Sequence, residues 1–388
     1  MKAYIVKNNI KIEPFLEENV NLLIGNKKIS DWYSEIFRKL KINCKVVKDV
    51  SEIDGGEERV VFDDNVFFTF DLMKEFILLS KKTEKNTVCA VKKGIFTTRS
   101  IINSQNVEDC GEFVSYNLFY FPSKNKNPNP IPIIFDLDQG ARSLVFPNHM
   151  VKDGKYSIPF QNKIIVQLDH WANVWAANLI YFLSHLYELE RNKFGIFLGI
   201  LKSLSFNKWR ILAKINKINK SSDVHHTAYI EGSVIGKNVT IGAGSVIRHS
   251  MIDDDSYIGN GVIIESSIIG TGCVILNGHI LQSVLYPESF SVTHFISASI
   301  LGKRTFVGSG AVLTDFRFDK KCMTIKRGHD IFDSQNIFLG CCLGNDVYLG
   351  GGCVVAPGRE IVNSTKISLS KDKIITNPIK SDDFQFSC

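Results

Sequence analysis

The sequence predicts an α/β domain followed by an all-β, left-handed parallel β-helix. Three observations carry this: strand-like runs alternate with helical patterns over 1–165, an aliphatic residue recurs every six positions from about residue 224, and 388 residues exceed what one hydrophobic core usually organises. The expected division is an α/β domain at 1–168, a connecting helix and basic linker at 169–220, the β-helix at 221–365 and a C-terminal tail at 366–388.

In the first part, the runs AYIVK, CKVV, RVVF, NTVCAV and FVSYNLFYF read as strands, and Ile29–Leu40 and Phe70–Lys82 as helices. Trp171–Arg191 reads as an amphipathic helix, with Trp171, Val174, Trp175, Asn178, Leu179 and Phe182 on one face and Asp169 placed to cap its start.

The repeat dominates the second half of the chain. Ile235, Ile241 and Ile247 are succeeded by Ile252, Ile258 and Ile264, then by Ile269, Ile275 and Leu281; later come Leu301, Val307 and Leu313, and then Ile337, Leu343, Leu349, Val355 and Ile361. A six-residue unit gives one short strand and one corner, so three units close a triangular coil with the aliphatic residue pointing inward. The third residue after each aliphatic one, Gly244, Gly261 or Gly310 for example, or Asn238 and Asp255, is of a type that accepts positive φ at a corner. Cys273, Cys341 and Cys353 fall at the small fourth position and read as core fillers. Two stretches, 282–300 and 314–336, read as loops that break the coil, which is where solenoids carry binding residues.

Composition narrows the classes. Hydrophobic residues make up 44% and charged residues 22%, as in globular proteins. Nine cysteines with no C-x-x-C pair argue against a disulfide framework or a zinc site and for a reducing, cytoplasmic compartment. No stretch reaches the ~18 uninterrupted apolar residues of a membrane span. The net charge of +6 is concentrated at Lys202, Lys208, Arg210, Lys214, Lys217 and Lys220, without an intervening acid. That run suits a nucleotide, a membrane surface or an acidic partner, or is simply solvated. Nucleic acid is not expected as a partner.

The segments DVHHTAYIEGSVIGKNVTIGAGSVI, SILGKRTFVGSGAVLTDFRFDKK and LGCCLGNDVYLGGGCVVAPGREI resemble the β-helix of the family around the bifunctional N-acetylglucosamine-1-phosphate uridylyltransferase/glucosamine-1-phosphate acetyltransferase. In the first half, PFLEENVNLLIGNKKISDW, VVFDDNVFFTFDLMKEF and DHWANVWAAN are similar to segments of its divergent sugar-phosphate relatives. The resemblance implies a sugar-nucleotidyltransferase-like α/β domain, a homotrimer, and transfer of an acyl group from acetyl-CoA or a longer acyl-CoA to an amino-sugar phosphate or sugar nucleotide. It also implies that Asp64 could hold Mg²⁺. The family's phosphate loop is not matched, since the first strand meets no glycine before Gly25, and Asn19 and Val20 stand where relatives place an arginine-proline pair.

Acyl transfer to an amine needs a base, oxyanion donors and a slot for the acyl carrier. Relatives place a histidine at the position of Val292; the histidine near it is His294, with His279 and His329 as rivals. Asp315 replaces an asparagine of the relatives and is a second candidate base. Arg317, Lys320 and Lys321 match basic residues offered to an anionic ligand, and Gly308 and Ala311 line the expected carrier slot. The alternatives are a Mg²⁺-dependent sugar-1-phosphate nucleotidyltransferase whose β-helix serves assembly, and a non-catalytic sugar-nucleotide-binding protein.

Overall fold

The computed structural model describes residues 1–370 apart from 9, 54, 124–128 and 152–153, so most of the expected tail lies outside the described residues. The first part is an α/β domain: β1 (Lys2–Val6), α1 (Ile29–Leu40), β2 (Asn43–Val47), β3 (Arg59–Asp63), α2 (Phe70–Thr83), β4 (Thr87–Lys92), β5 (Phe113–Phe121) and β6 (Ile131–Phe135). The main sheet has the order β6-β4-β5-β3-β1-β2. All neighbours pair in parallel except β5, which runs antiparallel to both β3 and β4. All of these but β6 are read from the sequence, and they form where its pattern places them. β3, with Val60, Val61 and Phe62 all buried, is a continuous apolar run, as a strand covered on both faces must be.

α3 (Trp171–Arg191) follows, and its cap corrects the expectation. His170, not Asp169, is the N-cap, its Nδ1 accepting the Ala172 amide at 3.1 Å. Asp169 is turned into the sheet domain, where it accepts from Asn65 Nδ2 at 2.7 Å and the Asn106 amide at 2.6 Å. A carboxylate that accepts one side-chain and one backbone N–H in this way is held more firmly than by a helix start.

The second part is a triangular prism of parallel strands, with sheets of eight, eight and seven strands, the left-handed β-helix expected. Ile235, Ile252, Ile269, Leu285, Leu301 and Leu343 stack down one inner edge, Ile241, Ile258, Ile275, Val307 and Leu349 down a second, and Ile247, Ile264, Ile280, Ile296, Leu313 and Val355 down the third. Gly244 and Gly261 turn corners at φ +67° and +69°, and Asn238 and Asp255 do so at φ +53° and +59°. Cys273 and Cys341 are fully buried, and burial pushes both thiols up to about 12, so they are inert fillers at neutral pH.

Two expectations fail here. The stretch 282–300 is not a loop: Val284–Leu285, Phe290–Ser291 and Phe295–Ser297 continue the three sheets without a break. The inward residue of its middle strand is Ser291, fully buried where an aliphatic residue was expected, so the hexad disappears from the sequence while the coil persists. Nor are Ile337 and Leu281 inward residues: Ile337 lies outside every strand of the prism, and in the strand His279–Leu281 it is Ile280 that is fully buried. The chain does leave the coil after Leu313 and rejoins it at Cys342–Leu343, with a hairpin, β7 (Thr324–Arg327) and β8 (Asp330–Asp333), inside the excursion.

One corner type is shorter than six residues and repeats. Gly232, His249, Ser266, Gln282 and Ala298 all have positive φ, and each precedes a buried serine: Ser233, Ser250, Ser267, Ser283 and Ser299. These serines form a ladder. The amides of Ser250, Ser267, Ser283, Ser299 and Cys341 donate to the hydroxyl of the preceding rung at 3.0–3.2 Å. Those amides cannot pair as strand amides at a corner, and the ladder satisfies them without water.

The two parts share one core. Ile268, Val284, Tyr286, Ala298, Ile300 and Cys342 on the outside of one prism face pack with Phe15, Leu22, Leu23, Trp171 and Trp175 of the first part. Polar bonds fix the alignment: Trp175 Nε1 donates to Gln282 O at 2.9 Å, Asn26 Nδ2 to Ile269 O at 2.8 Å, and Lys303 meets Glu17 at 2.7 Å.

Candidate functional site

Of the three prism faces one is therefore closed by the α/β domain. The second carries a column of outward aromatic residues, Tyr257, Phe290, Phe306 and Tyr348. Phe290 and Phe306 meet at 5.5 Å between ring centroids, and Phe306 and Tyr348 at 6.2 Å.

The third face carries charge. Parallel pairing sets Glu231, Arg248 and Glu265 one above another at the same position of successive coils. Arg248 donates to Glu231 at 2.7 Å and to Glu265 at 3.0 Å, and Tyr229 to Glu231 at 2.7 Å. His279 Nε2 lies 2.9 Å from the other oxygen of Glu265, and its ring stands edge-on to Phe295 at 5.6 Å. A carboxylate hydrogen-bonded to one ring nitrogen fixes the tautomer and leaves the opposite nitrogen as the basic one. Glu265 was not among the residues that the sequence singled out. Its signal was the seventeen-residue recurrence of Glu231, Arg248 and Glu265 with alternating charge.

His294 is exposed at the edge of this face, its Nδ1 3.1 Å from Asn277 Nδ2, while its carbonyl accepts the His279 amide at 2.9 Å. The unit spacing that placed the relatives' histidine at Val292 is also corrected. The inward residue before Leu301 is Ile296, five positions back, and Phe295 faces outward beside His279.

Asp315 stands at the far edge, where it accepts from Ser297 Oγ at 2.6 Å. Beyond it, Arg317 forms a two-pronged pair with Asp319 at 2.8 and 2.5 Å, and Lys320 and Lys321 are exposed. His329 is exposed at the tip of the β7–β8 hairpin. That hairpin lies against the α/β domain, where His170 Nε2 donates to Lys326 O at 2.9 Å, so His329 is not gathered with the other histidines. Gly308 and Ala311 lie within the coil, their amides donating to Leu349 O at 2.8 Å and Gly308 O at 3.2 Å.

In the α/β domain, carboxylates gather at the carboxyl ends of the strands, where open sheets of this kind bind ligands. Asp64 accepts from Asn19 Nδ2 at 3.2 Å and the Asn8 amide at 3.5 Å, both on Oδ1, and Asp63 from Asn117 at 2.8 Å. Burial raises the pKa of Asp63, Asp64 and Asp169. Among the described residues no three His, Cys, Asp or Glu side chains converge on one point, so a Mg²⁺ at Asp64 would take one or two protein carboxylates and would need ligand phosphates and water for its remaining positions. A cavity of about 840 Å³ opens past β4, lined by Lys93, Thr97, Arg99, Asn103, Lys155 and Gln335.

Residues 213–318 match the model of the GMPPB C-terminal domain family. No protein of curated function matches the sequence. Among solved structures, a hexapeptide transferase family protein from Anaplasma phagocytophilum is 18% identical over 39% of this chain and 72% of that one, with a TM-score of 0.24. A candidate acetyltransferase from Bacillus cereus is 16% identical over 39% of this chain and 71% of that one, with a TM-score of 0.21. The C-terminal part of the chain is thus a hexapeptide-repeat left-handed β-helix, similar to the GMPPB C-terminal domain over residues 213–318.

Proposed function

We propose that the chain is an acyltransferase that moves an acyl group from a coenzyme A thioester to the amine of a sugar phosphate or sugar nucleotide on the charged face of the prism. One observation carries this reading: His279 is hydrogen-bonded to Glu265 at 2.9 Å on a face that the α/β domain leaves open. With Nε2–H donated to Glu265, Nδ1 takes the proton of the attacking amine. The C–N bond forms as the C–S bond breaks, and the proton passes to the leaving thiolate. Glu265 stabilises the imidazolium between those two transfers. Arg317, Lys320 and Lys321 offer charge to the acceptor's phosphate. The aromatic column supports assembly as a homotrimer, in which a neighbouring prism would complete the carrier groove.

A ligand that binds the native state alone raises the melting temperature. The expected result is stabilisation by acetyl-CoA or a longer acyl-CoA. Stabilisation by UTP or dTTP with magnesium, and by no CoA ester, would overturn the reading. His279→Ala should then lower kcat by roughly 10²-fold with little change in KM. Loss of that size in His294→Ala instead, with His279→Ala near wild type, would move the base to His294.

A second reading, binding of an anionic small molecule without turnover, is favoured by the 840 Å³ cavity with Lys93, Arg99 and Lys155 in its wall. Stabilisation by a sugar phosphate that survives His279→Ala but is lost in Lys155→Glu would support it.

A further inference from the structure

Between α3 and the first coil, α4 (Lys193–Ser203) and α5 (Lys208–Leu212) fold into a helical hairpin. Gly199 lets them meet, since a Cβ there would stand 2.9 Å from the side-chain methyls of Ile211 and Ile215. One face of α4 is spent on that contact. The other is an apolar stripe at i, i+3, i+4 and i+7: Phe194, Phe197, Leu198 and Leu201, with 70, 56, 36 and 53% of their surface exposed. Leu204 and Phe206, in the turn to α5, are 91 and 89% exposed. Such a stripe on a surface helix ordinarily faces the core. Here none of the described residues covers it, and a contiguous exposed apolar patch of this kind marks an interaction surface.

The charge around the patch has one sign. From 192 to 222 the chain has no acidic residue, while Lys193, Lys202, Lys208, Arg210 and Lys214 surround the stripe. The nearest neutralising contact is from outside the hairpin, Glu190 at 3.8 Å from Lys208. Packing two such hairpins together would set like charges against one another, and a nucleic acid would leave the phenyl and leucyl groups in water. An anionic bilayer satisfies both features at once, taking the apolar stripe into the acyl boundary and the bases to the headgroups. No described helix is long and apolar enough to cross a membrane, so the hairpin would lie in the interface rather than span it.

We infer that α4 and α5 form a membrane-surface anchor that docks the protein on anionic lipid, independently of acyl transfer. The test is flotation of the full chain with vesicles of phosphatidylcholine alone or with about 30% phosphatidylglycerol. The expected result is binding to the anionic vesicles only, weakened by salt. Trp209 is 48% exposed and the other three tryptophans are more buried, so its emission should shift to the blue on binding and the shift should vanish in Trp209→Phe.

Phe197→Ser with Leu201→Ser should weaken vesicle binding at least 10-fold at low salt, and Lys202→Glu with Arg210→Glu should do the same. All four positions are exposed, so the variants should keep the melting temperature and the mass of the native protein. Absence of binding to anionic vesicles would overturn the inference. So would a fall in oligomer mass in Phe197→Ser/Leu201→Ser, which would show that a second copy covers the stripe.

Discussion

The docked face and the charged face of the prism share one backbone and the same kind of inward aliphatic stack, and they differ only in what points outward. On the docked face Ile268, Val284 and Ile300 stand in successive coils at no more than 4% exposure. On the charged face the position just after the inward residue carries Glu231, Arg248 and Glu265 in successive coils. The inward period therefore encodes the coil, and the outward positions decide whether a face becomes a domain interface or a place for chemistry. Substitutions at matched outward positions separate the two.

The largest effect is expected at the docked face. Ile300→Asp would bury a carboxylate against Trp171, Trp175 and Met323 in the shared core, costing on the order of 4 kcal/mol or more. Thermal unfolding should show a large drop and proteolysis should open the junction near 170. Val312→Asp, at an outward position of the charged face that is 38% exposed, should stay within about 0.5 kcal/mol of wild type. Equal losses at the two sites would break the comparison.

Acid should attack the same junction. His170 is buried, its Nδ1 capping α3 and its Nε2 bonded to Lys326 O, and burial lowers its pKa from 6.5 to about 4. A group whose folded pKa is depressed binds its proton more readily when unfolded, so this contribution is full above pH 6.5 and is lost as pH falls toward 4. At its full extent it is about 3 kcal/mol. His185, lowered to about 4 by burial, adds to the same limb. The melting temperature should fall over that window, and the fall should be shallower in His170→Asn.

The prism was legible because isoleucine and glycine recur at fixed intervals, and it became illegible wherever an inward position turned polar. Ser291 hid a complete coil, and five-residue corners shifted the count that placed the histidine of the relatives at Val292. The serine ladder was visible as Ser233, Ser250, Ser267, Ser283 and Ser299, but its meaning depends on corner amides that only the closed coil leaves unpaired. In the α/β domain the strands and helices, β6 apart, followed their patterns. The docking did not, because Trp171 and Trp175 have the same hydrophobic signature whether they face their own sheet or another domain. At the candidate site the histidines were legible as residues, whereas the pairing of His279 with Glu265, fourteen residues apart, required the coil register.

A smaller effect is expected at the seam between the α/β domain and the prism. Tyr286 is buried, its hydroxyl 3.3 Å from the Leu23 amide and 3.2 Å from the Leu23 carbonyl. Tyr286→Phe would leave the Leu23 amide without its acceptor in a dry interface, while the carbonyl keeps Asn178 Nδ2 at 3.0 Å, costing about 1–2 kcal/mol. An unchanged melting temperature would mean that water reaches the seam and that the docked face is less closed than its burial implies.

The smallest stability effect is the most informative about function. Glu265 and Arg248 are about one-quarter to one-third exposed, with side-chain accessibilities of 26 and 35%, and exposed ion pairs are worth about 0–1 kcal/mol. Glu265→Gln keeps the shape of the side chain and a hydrogen-bonding oxygen for Arg248, so stability should change by less than about 1 kcal/mol. It removes the negative charge that would stabilise a His279 imidazolium. If the charged face performs acyl transfer, Glu265→Gln should therefore lower kcat by roughly 10-fold or more and move the limb of the pH–rate profile set by the base, with KM little changed. A ladder that only braces the coils would show the reverse pattern, a measurable loss of melting temperature with turnover and its pH profile intact. Because the docked face has no ionisable column of this kind, the same charge-to-amide substitution there, Glu17→Gln opposite Lys303, should leave the pH–rate profile where it was.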